Sequence, residues 1–316
     1  SWPERRKQPK LSFVKRPPVA SSGAGFGMVA ASSILFGIVP VFVKEASDRG
    51  AEVLPLTIFR LLVMVLLAAG GTALRRISFQ VTPRQLAQLA VFGTAGFGLT
   101  NLLLSSSYLL VEMGTATICH FIYPVLVMVM MRLFFRERCE GLKRPALISA
   151  LCGVVLLATI SGGGSFWGIV LAVLSGLTYG VYVIAMDKAS FRSLDPLLVI
   201  FYGGGICLAF LLGYYALDAG DLLALSVPLG AWPAILSSSL MGTAAVLLLC
   251  GGIRLLGAST AAFLNMLEPI TNTCMDLVIY GVFPSLAGWA GYSLMLLSIL
   301  LISLENTREE KRVPSR

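Results

Sequence analysis

The sequence predicts an all-α integral membrane protein in which ten transmembrane helices form two inverted five-helix repeats. Three observations lead to this fold class. Hydrophobic residues make up 57% of the 316 residues and charged residues only 13%, whereas a soluble protein carries about 25% charged residues. The apolar residues are grouped into long segments with few charges. A proline motif inside one of these segments recurs 145 residues later.

Ten segments are near the length of about 20 apolar residues that a helix needs to cross the hydrocarbon core. Their predicted limits are residues 26–43, 54–73, 86–108, 113–135, 145–161, 166–186, 196–217, 232–250, 257–281 and 285–304. The alternative is a soluble protein with a large helical core. So many segments of this length exceed what core helices need, and we therefore predict membrane spans.

The basic residues support this count and give the chain an orientation. With the N-terminus in the cytoplasm, 21 of the 24 Lys and Arg residues fall on the cytoplasmic side. Only Lys44 and Arg49 fall outside, and Arg60 lies within the second segment. Because basic residues favour the cytoplasmic side, both termini are predicted to be cytoplasmic. The net charge of +8 then reflects membrane topology, and we predict no nucleic-acid partner.

The predicted domains are a disordered basic tail (1–25), a first repeat (26–162), a second repeat (163–304) and a cytoplasmic C-terminal tail (305–316). The N-terminal tail lacks the apolar stretch of a cleaved signal peptide. The six cysteines include no CxxC pair. We therefore predict no structural disulfide, no bound metal and no cofactor.

The repeated motif defines the two halves. The first copy, GTATICHFIYP, ends at Pro124, and the second, STAAFLNMLEP, ends at Pro269. Five spans per half is an odd number, so the second half enters the membrane from the opposite side. Inverted repeats of this kind are typical of secondary transporters that work by alternating access. The sequence contains no GxxxxGK[ST] motif for ATP.

The ninth segment carries the strongest candidate site. Asn265, Glu268, Asn272 and Asp276 are spaced by three, four and four residues, which places them on one helix face. A charge at mid-bilayer costs about 2.5–3.5 kcal/mol, so it faces a cavity or a partner. Pro269 has no N–H for the carbonyl of Asn265, and we expect that carbonyl to be free beside the carboxylate. The alternative is a hydrogen-bonding stripe that only holds helices together.

In the first repeat, His120 and Tyr123 occupy the positions of Asn265 and Glu268. The repeats therefore share a backbone plan but differ in chemistry, which suits an asymmetric solute. His120 is the only histidine, and it is either a satisfied structural residue or a group that exchanges protons. The candidates for proton coupling are Glu268, Asp276 and His120.

Polar residues also follow helical spacing on the third and sixth segments. These are Thr94, Gly98, Asn101, Ser105 and Tyr108, and Ser175, Tyr179 and Tyr182. Of these we predict Asn101, Tyr179 and Tyr182 as cavity residues, although helix packing would explain the hydroxyls equally well. Arg60 lies about 9 Å into its span, and for it we favour snorkelling or a structural ion pair over solute binding.

The motifs resemble those of a known family. Gly114–Pro124, followed by Phe134-Phe-Arg-Glu137 and the glycine-bearing segment 145–157, is similar to the end of an EamA repeat, with its GxAxxxxxxxP helix and FxxE turn. The second repeat keeps the family's LEP element at Pro269, but its turn at 280–284 lacks the glutamate. The first repeat has Tyr123 instead of a glutamate before the proline.

This resemblance covers residues 26–304 and identifies the chain as a member of the EamA family of the drug/metabolite transporter superfamily. It implies export or exchange of small solutes. It also implies a central cavity between the third, fourth, eighth and ninth helices, with the first and sixth.

We therefore expect an exporter of a small polar or amphipathic, amino-acid-like metabolite in the inner membrane of a bacterium, with the lipid bilayer and a proton as further partners. An uncoupled exchanger, a passive channel, a receptor and an intramembrane enzyme are the alternatives. For an enzyme, Glu268 and Asp276 are about 12 Å apart along a helix, which is too far to share a reacting atom. The solute, the coupling ion, the direction of transport and the oligomeric state are not determined by the sequence.

Overall fold

The computed structural model describes residues 20–108, 110–111, 113–137, 140–160, 165–219, 225–281 and 283–312, and its regular secondary structure is helical in all these ranges. The predicted N-terminal tail lies outside them up to residue 19. The first repeat contains α1 (Ala20–Asp48), α2 (Val53–Leu74), α3 (Pro83–Gly93), α4 (Thr100–Tyr108), α5 (Met113–His120), α6 (Tyr123–Phe135) and α7 (Lys143–Ile160). The second contains α8 (Phe166–Lys188), α9 (Pro196–Val199), α10 (Gly205–Ala219), α11 (Trp232–Leu256), α12 (Ala258–Leu264), α13 (Leu267–Tyr280) and α14 (Leu286–Arg312).

Short π-helical segments join α3 to α4 (Thr94–Leu99) and α9 to α10 (Ile200–Gly204). Within the part of the chain that the structure describes, eight helical units are long and apolar enough to cross a membrane. They are α1, α2, α3 with the start of α4, the α5–α6 pair from Ala116, α8, α9 with α10, α11 with the short turn before it, and α14. The other two predicted spans correspond to α7 and to the α12–α13 pair, so the count of ten stays a prediction.

The fourth and ninth predicted spans are not continuous helices. A turn at 121–122 separates α5 from α6, and a turn at Asn265 and Met266 separates α12 from α13. Each break precedes a motif proline, Pro124 or Pro269, which lies in the first turn of the next helix. Proline is tolerated there because the first N–H groups of a helix have no intrahelical partner. One prediction is corrected: the Asn265 carbonyl is not free, because it accepts a hydrogen bond from the Glu268 N–H at 3.0 Å.

Helix packing follows an approximate two-fold relation between the repeats. α1 packs along α11, and α8, its counterpart, packs along α4 and the π-helical segment before it. α2 packs against the π-helical segment and α10 that correspond to it in the second repeat, and α7 packs against α14. When each helix of a packed pair is replaced by its counterpart in the other repeat, the resulting pair is also packed in the structure.

Helix directions show that this two-fold relation inverts the repeats. α1 runs parallel to α12–α13: the Ser33 hydroxyl bonds Asn265, and one turn further a Cβ at Gly37 would lie 2.7 Å from the Glu268 carbonyl oxygen. The α12–α13 pair runs antiparallel to α6, because Tyr123 at the start of α6 bonds Asn265, whereas Glu137 after the end of α6 bonds Ser259 near the start of α12.

The helix pair α5–α6 is in turn parallel to α8. A Cβ at Gly176 would lie 2.5 Å from the His120 carbonyl oxygen, and one at Gly180 would lie 3.7 Å from the Tyr123 carbonyl oxygen. Since α1 is parallel to α12–α13, which is antiparallel to α6, α8 runs opposite to α1. The inversion of the repeats is therefore present in the packing.

The pair of α7 and α14 shows how glycine permits close approach. The Ser149 hydroxyl donates to the Leu294 carbonyl at 2.7 Å. A Cβ at Gly153 would lie 2.9 Å from the Gly291 carbonyl oxygen. Small residues at four-residue spacing, such as Ser149 and Gly153, let the two backbones meet here.

Candidate functional site

A cavity of about 240 Å³ lies between the two repeats. Its wall is formed by α1, α2, the π-helical segment with α4, and α5 from the first repeat, and by α8, α10, α11 and α13 from the second. Five of the predicted site residues line it: Asn101, His120, Tyr179, Tyr182 and Glu268. The structure thus brings together polar residues from four separate helices.

The other predicted site residues lie elsewhere. Asn265 and Tyr123 are buried between helices behind the cavity wall. Asn272 is half-buried on α13 and is not part of the wall. The side chain of Asp276 lies outside the described part of the chain. Among the described side chains of the predicted four-residue face, Glu268 is the one that borders the cavity.

Asn265 is the centre of a hydrogen-bond network that joins three helical units. Its Nδ2 donates to the Tyr123 hydroxyl oxygen at 2.7 Å and to Glu268 Oε2 at 3.3 Å. Its Oδ1 accepts from the Ser33 hydroxyl at 2.9 Å. Only 1% of Asn265 is exposed. The network connects α1, α6 and the break before α13, and it fixes the position of the Glu268 carboxylate.

His120 is held by a serine of the other repeat. Its Nδ1 lies 2.9 Å from the Ser175 hydroxyl oxygen. The Ser175 hydroxyl donates to the Ala172 carbonyl at 2.6 Å, so its oxygen accepts the hydrogen of Nδ1. In the neutral ring this assigns Nε2 as an acceptor. His120 is therefore hydrogen-bonded as a structural histidine would be, and it also borders the cavity.

Aromatic rings form much of the remaining wall. The Tyr123 and Tyr179 rings pack edge to face with centroids 4.8 Å apart, and Phe97 packs on Tyr182 at 5.1 Å. A Cβ at Gly96 would lie within 2.6 Å of the Tyr182 Cβ, so this ring position requires glycine there. The buried Tyr182 hydroxyl has no hydrogen-bond partner among the residues that the structure describes.

Sequence reasoning missed two residues at this site. Arg60 borders the cavity, and its Nε donates to the Ser238 hydroxyl oxygen at 3.1 Å. An isolated charge in an apolar span was the available signal, but it was interpreted as snorkelling or a structural ion pair. Ser33 carries no signal in the sequence beyond its place in the first apolar segment. Gly176 occupies the position in the second repeat that Ser33 has in the first. Gly176 contacts His120, which is in turn the counterpart of Asn265.

A second polar cluster lies at the end of the bundle where α6 and α14 finish. The buried Lys143 ammonium lies 2.9 Å from Glu309 and 3.8 Å from Glu137. Glu137 also accepts from the Ser259 hydroxyl at 3.0 Å. Since Lys143 and Glu137 belong to the first repeat and the other two residues to the second, the cluster links the repeats away from the cavity.

These features together define a class of protein. A helical membrane protein built from two inverted repeats, with broken helices beside a central cavity that a few polar groups border, has the architecture of a secondary transporter. The chain belongs to the EamA-like transporter family, whose profile matches residues 23–159 and 166–304. The predicted family and its two repeats are confirmed.

One curated relative is the "Uncharacterized inner membrane transporter YicL" of Salmonella typhimurium (strain LT2). It is 26% identical over 225 residues, which cover 63% of this chain and 66% of the relative. The match thus spans just under two thirds of that protein. A solved crystal structure superposes with a TM-score of 0.71 over 91% of this chain and 99% of the other, at 16% identity. This likeness shows the fold alone.

Proposed function

We propose that this membrane transporter exports a small polar or amphipathic metabolite of the amino-acid type by alternating access, with a proton as the coupling ion. The observation that carries the proposal is the position of Glu268. Its carboxylate borders a cavity shared by both repeats and lies three residues from the helix break that joins α12 to α13. This position supports a role for Glu268 in both solute binding and the conformational change.

The inverted packing supports alternating access. Two-fold related repeats can exchange conformations, so that the cavity opens to one side of the membrane and then to the other. The breaks at 121–122 and at Asn265 bring irregular backbone next to the cavity, where it is tolerated in membrane proteins. The Asn265–Tyr123 hydrogen bond joins the two broken units across the repeats.

The size and lining of the cavity support a small solute. A volume of about 240 Å³ is below the roughly 300–1,000 Å³ of sites for drug-sized ligands. Apolar and aromatic side chains such as Met64, Phe97 and Tyr179 form the wall together with a few polar groups. An amino acid with an apolar side chain matches this combination.

The proton role is assigned to Glu268 because its carboxylate receives a single protein hydrogen bond among the described residues, from Asn265. Such a carboxylate can take up and release a proton as its surroundings change. His120 is second because Ser175 already engages its Nδ1. We further propose a bacterial inner-membrane location with both termini in the cytoplasm, on the distribution of basic residues.

The test is transport in proteoliposomes that contain the purified full chain. We expect a pH gradient to drive movement of radiolabelled L-amino acids by the wild-type protein. Glu268→Gln should retain exchange of solute without a gradient but lose the response to pH, because glutamine cannot carry the proton. Glu45→Gln is the matched control, since Glu45 is exposed and pairs with Arg49 outside the cavity.

Three results would contradict parts of this proposal. Unchanged pH coupling in Glu268→Gln would remove Glu268 from the proton role. A wild-type protein that exchanges solute but ignores the gradient would be an uncoupled exchanger. Flux without saturation or counterflow would identify a passive channel.

A further inference from the structure

We propose that Arg60 binds the anionic end of the transported solute, so that the solute carries a carboxylate. This inference rests on the proposed transport function and names the chemical group that the same cavity recognises.

Among the described residues, a single hydrogen bond holds the Arg60 guanidinium in the cavity wall. Arg60 lies on α2, about two turns after the first residue of the helix, and borders the cavity together with Thr57. Its Nε donates to the Ser238 hydroxyl oxygen at 3.1 Å. Ser238 is fully buried on α11, and its own hydroxyl donates to the Ile235 carbonyl at 3.0 Å. The Ser238 oxygen is thereby oriented as an acceptor, and it fixes one edge of the guanidinium.

The charge of Arg60 is not balanced by a neighbouring side chain in the described structure. No Asp or Glu among the described residues has a carboxylate oxygen within 4.0 Å of its nitrogens, although other arginines and lysines do. Its Nη1 and Nη2 have no acceptor among those residues either. Charges at membrane depth face a partner or an aqueous cavity because an unpaired one is costly. The two remaining nitrogens match the two oxygens of a carboxylate.

The opposite charge of the solute has a partner in the same cavity. Glu268 borders the cavity from α13, whereas Arg60 borders it from α2. A solute with a carboxylate and an ammonium group can therefore contact both repeats at once. The apolar wall between them, with residues such as Met64 and Phe97, contacts the rest of the molecule. The chemistry of the cavity is that of a site for a zwitterionic amino acid.

The competing explanation is that Arg60 only clamps α2 to α11 through Ser238. The two explanations differ in one readout, which is the preference of the protein for an acid over its uncharged amide. A clamp contributes to stability but not to this preference. A residue that binds the carboxylate contributes directly to it.

The experiment measures binding of the twenty L-amino acids and their α-amides to the full chain in lipid nanodiscs by titration calorimetry. We expect the wild-type protein to bind at least one amino acid about 10- to 100-fold more tightly than its amide, as for hydrogen bonds to charged groups. Arg60→Gln should bind the acid and the amide equally, and Arg60→Lys should restore part of the difference. Arg49→Gln is the matched control because Arg49 pairs with Glu45 outside the cavity.

A second variant guards against misfolding. Ser238→Ala keeps the charge of Arg60 but removes its orienting contact, and we expect a smaller loss of the preference for the acid. An undiminished preference for the acid in Arg60→Gln would overturn the proposal. If Arg60→Gln does not fold, an undiminished preference in both Arg60→Lys and Ser238→Ala would overturn it. A wild-type protein that binds and transports amides but binds no amino acid would also overturn it. In that case the transport function would stand. A wild-type protein that neither binds nor transports any of these compounds would refute both.

Discussion

Replacing Asn265 by leucine tests the network that fixes Glu268. Leucine has a similar size, so the main effect is the loss of three side-chain hydrogen bonds, to Tyr123, to Glu268 and from Ser33. Hydrogen bonds between membrane helices contribute on average about 0.6 kcal/mol each, which gives roughly 2 kcal/mol. Ser33 retains the Val29 carbonyl as an acceptor at 2.8 Å. The Tyr123 hydroxyl, in a residue only 1% exposed, loses its donor, and leaving such a group unsatisfied costs about 1–3 kcal/mol.

If the Tyr123 bond is counted once, through this penalty, and the other two bonds at about 0.6 kcal/mol each, we expect Asn265→Leu to lower the free energy of unfolding by about 2–4 kcal/mol. The measurement is equilibrium unfolding in mixed detergent micelles, followed by helical circular dichroism. Asn272→Leu is the control: Asn272 is half-buried on α13 and makes no side-chain hydrogen bond within the described ranges. It should change stability by less than about 0.5 kcal/mol. An equally small effect of Asn265→Leu would refute the reasoning, since the network would then hold neither the helices nor the carboxylate.

Two further predictions concern packing and charge. Gly96→Ala forces the Tyr182 ring out of position, so we expect a loss of about 1–3 kcal/mol in stability and weaker solute binding by calorimetry. Gly213→Ala, at a helix position with open space around it, is the control and should be neutral or stabilising. An equal effect of the two substitutions would contradict the packing argument. Lys143→Met removes a buried ammonium that lies 2.9 Å from Glu309. We expect a loss of about 1–3 kcal/mol, below the 3–5 kcal/mol for a fully buried pair, because the Glu309 carboxylate is partly exposed. This loss should shrink at high salt, and a loss that is independent of salt would contradict its electrostatic origin.

The fold was largely predictable because its determinants are local and periodic. Apolar length gives the spans, the recurrence of the motif at Pro124 and Pro269 gives the two repeats, and an odd number of spans per repeat gives the inversion. The helix breaks were not predicted, although both motif prolines pointed to them. An uninterrupted helix was assumed, and the Asn265 carbonyl was expected to be free, whereas the turn at 265–266 supplies the Glu268 N–H as its donor.

The site was less predictable because helical spacing gives a face but not its neighbour. Glu268 and Asn272 share a predicted face, yet only Glu268 borders the cavity. Arg60 illustrates the reverse case, because a charge near the end of a span is compatible with snorkelling until its partner is known. Its contact with Ser238, 178 residues away, is set by tertiary packing. No periodic pattern encodes such a contact.

The cluster around Lys143 lies at one end of a bundle whose helices are otherwise paired by the two-fold relation between the repeats. Its glutamate, Glu137, comes from a turn whose counterpart in the second repeat, 280–284, contains no acidic residue. In the proposed alternating-access cycle, two-fold symmetry alone would make the inward- and outward-facing states equal in energy. Because the Lys143 cluster has no counterpart in the other repeat, that cycle would run between states of unequal energy, with the empty protein resting in the lower one.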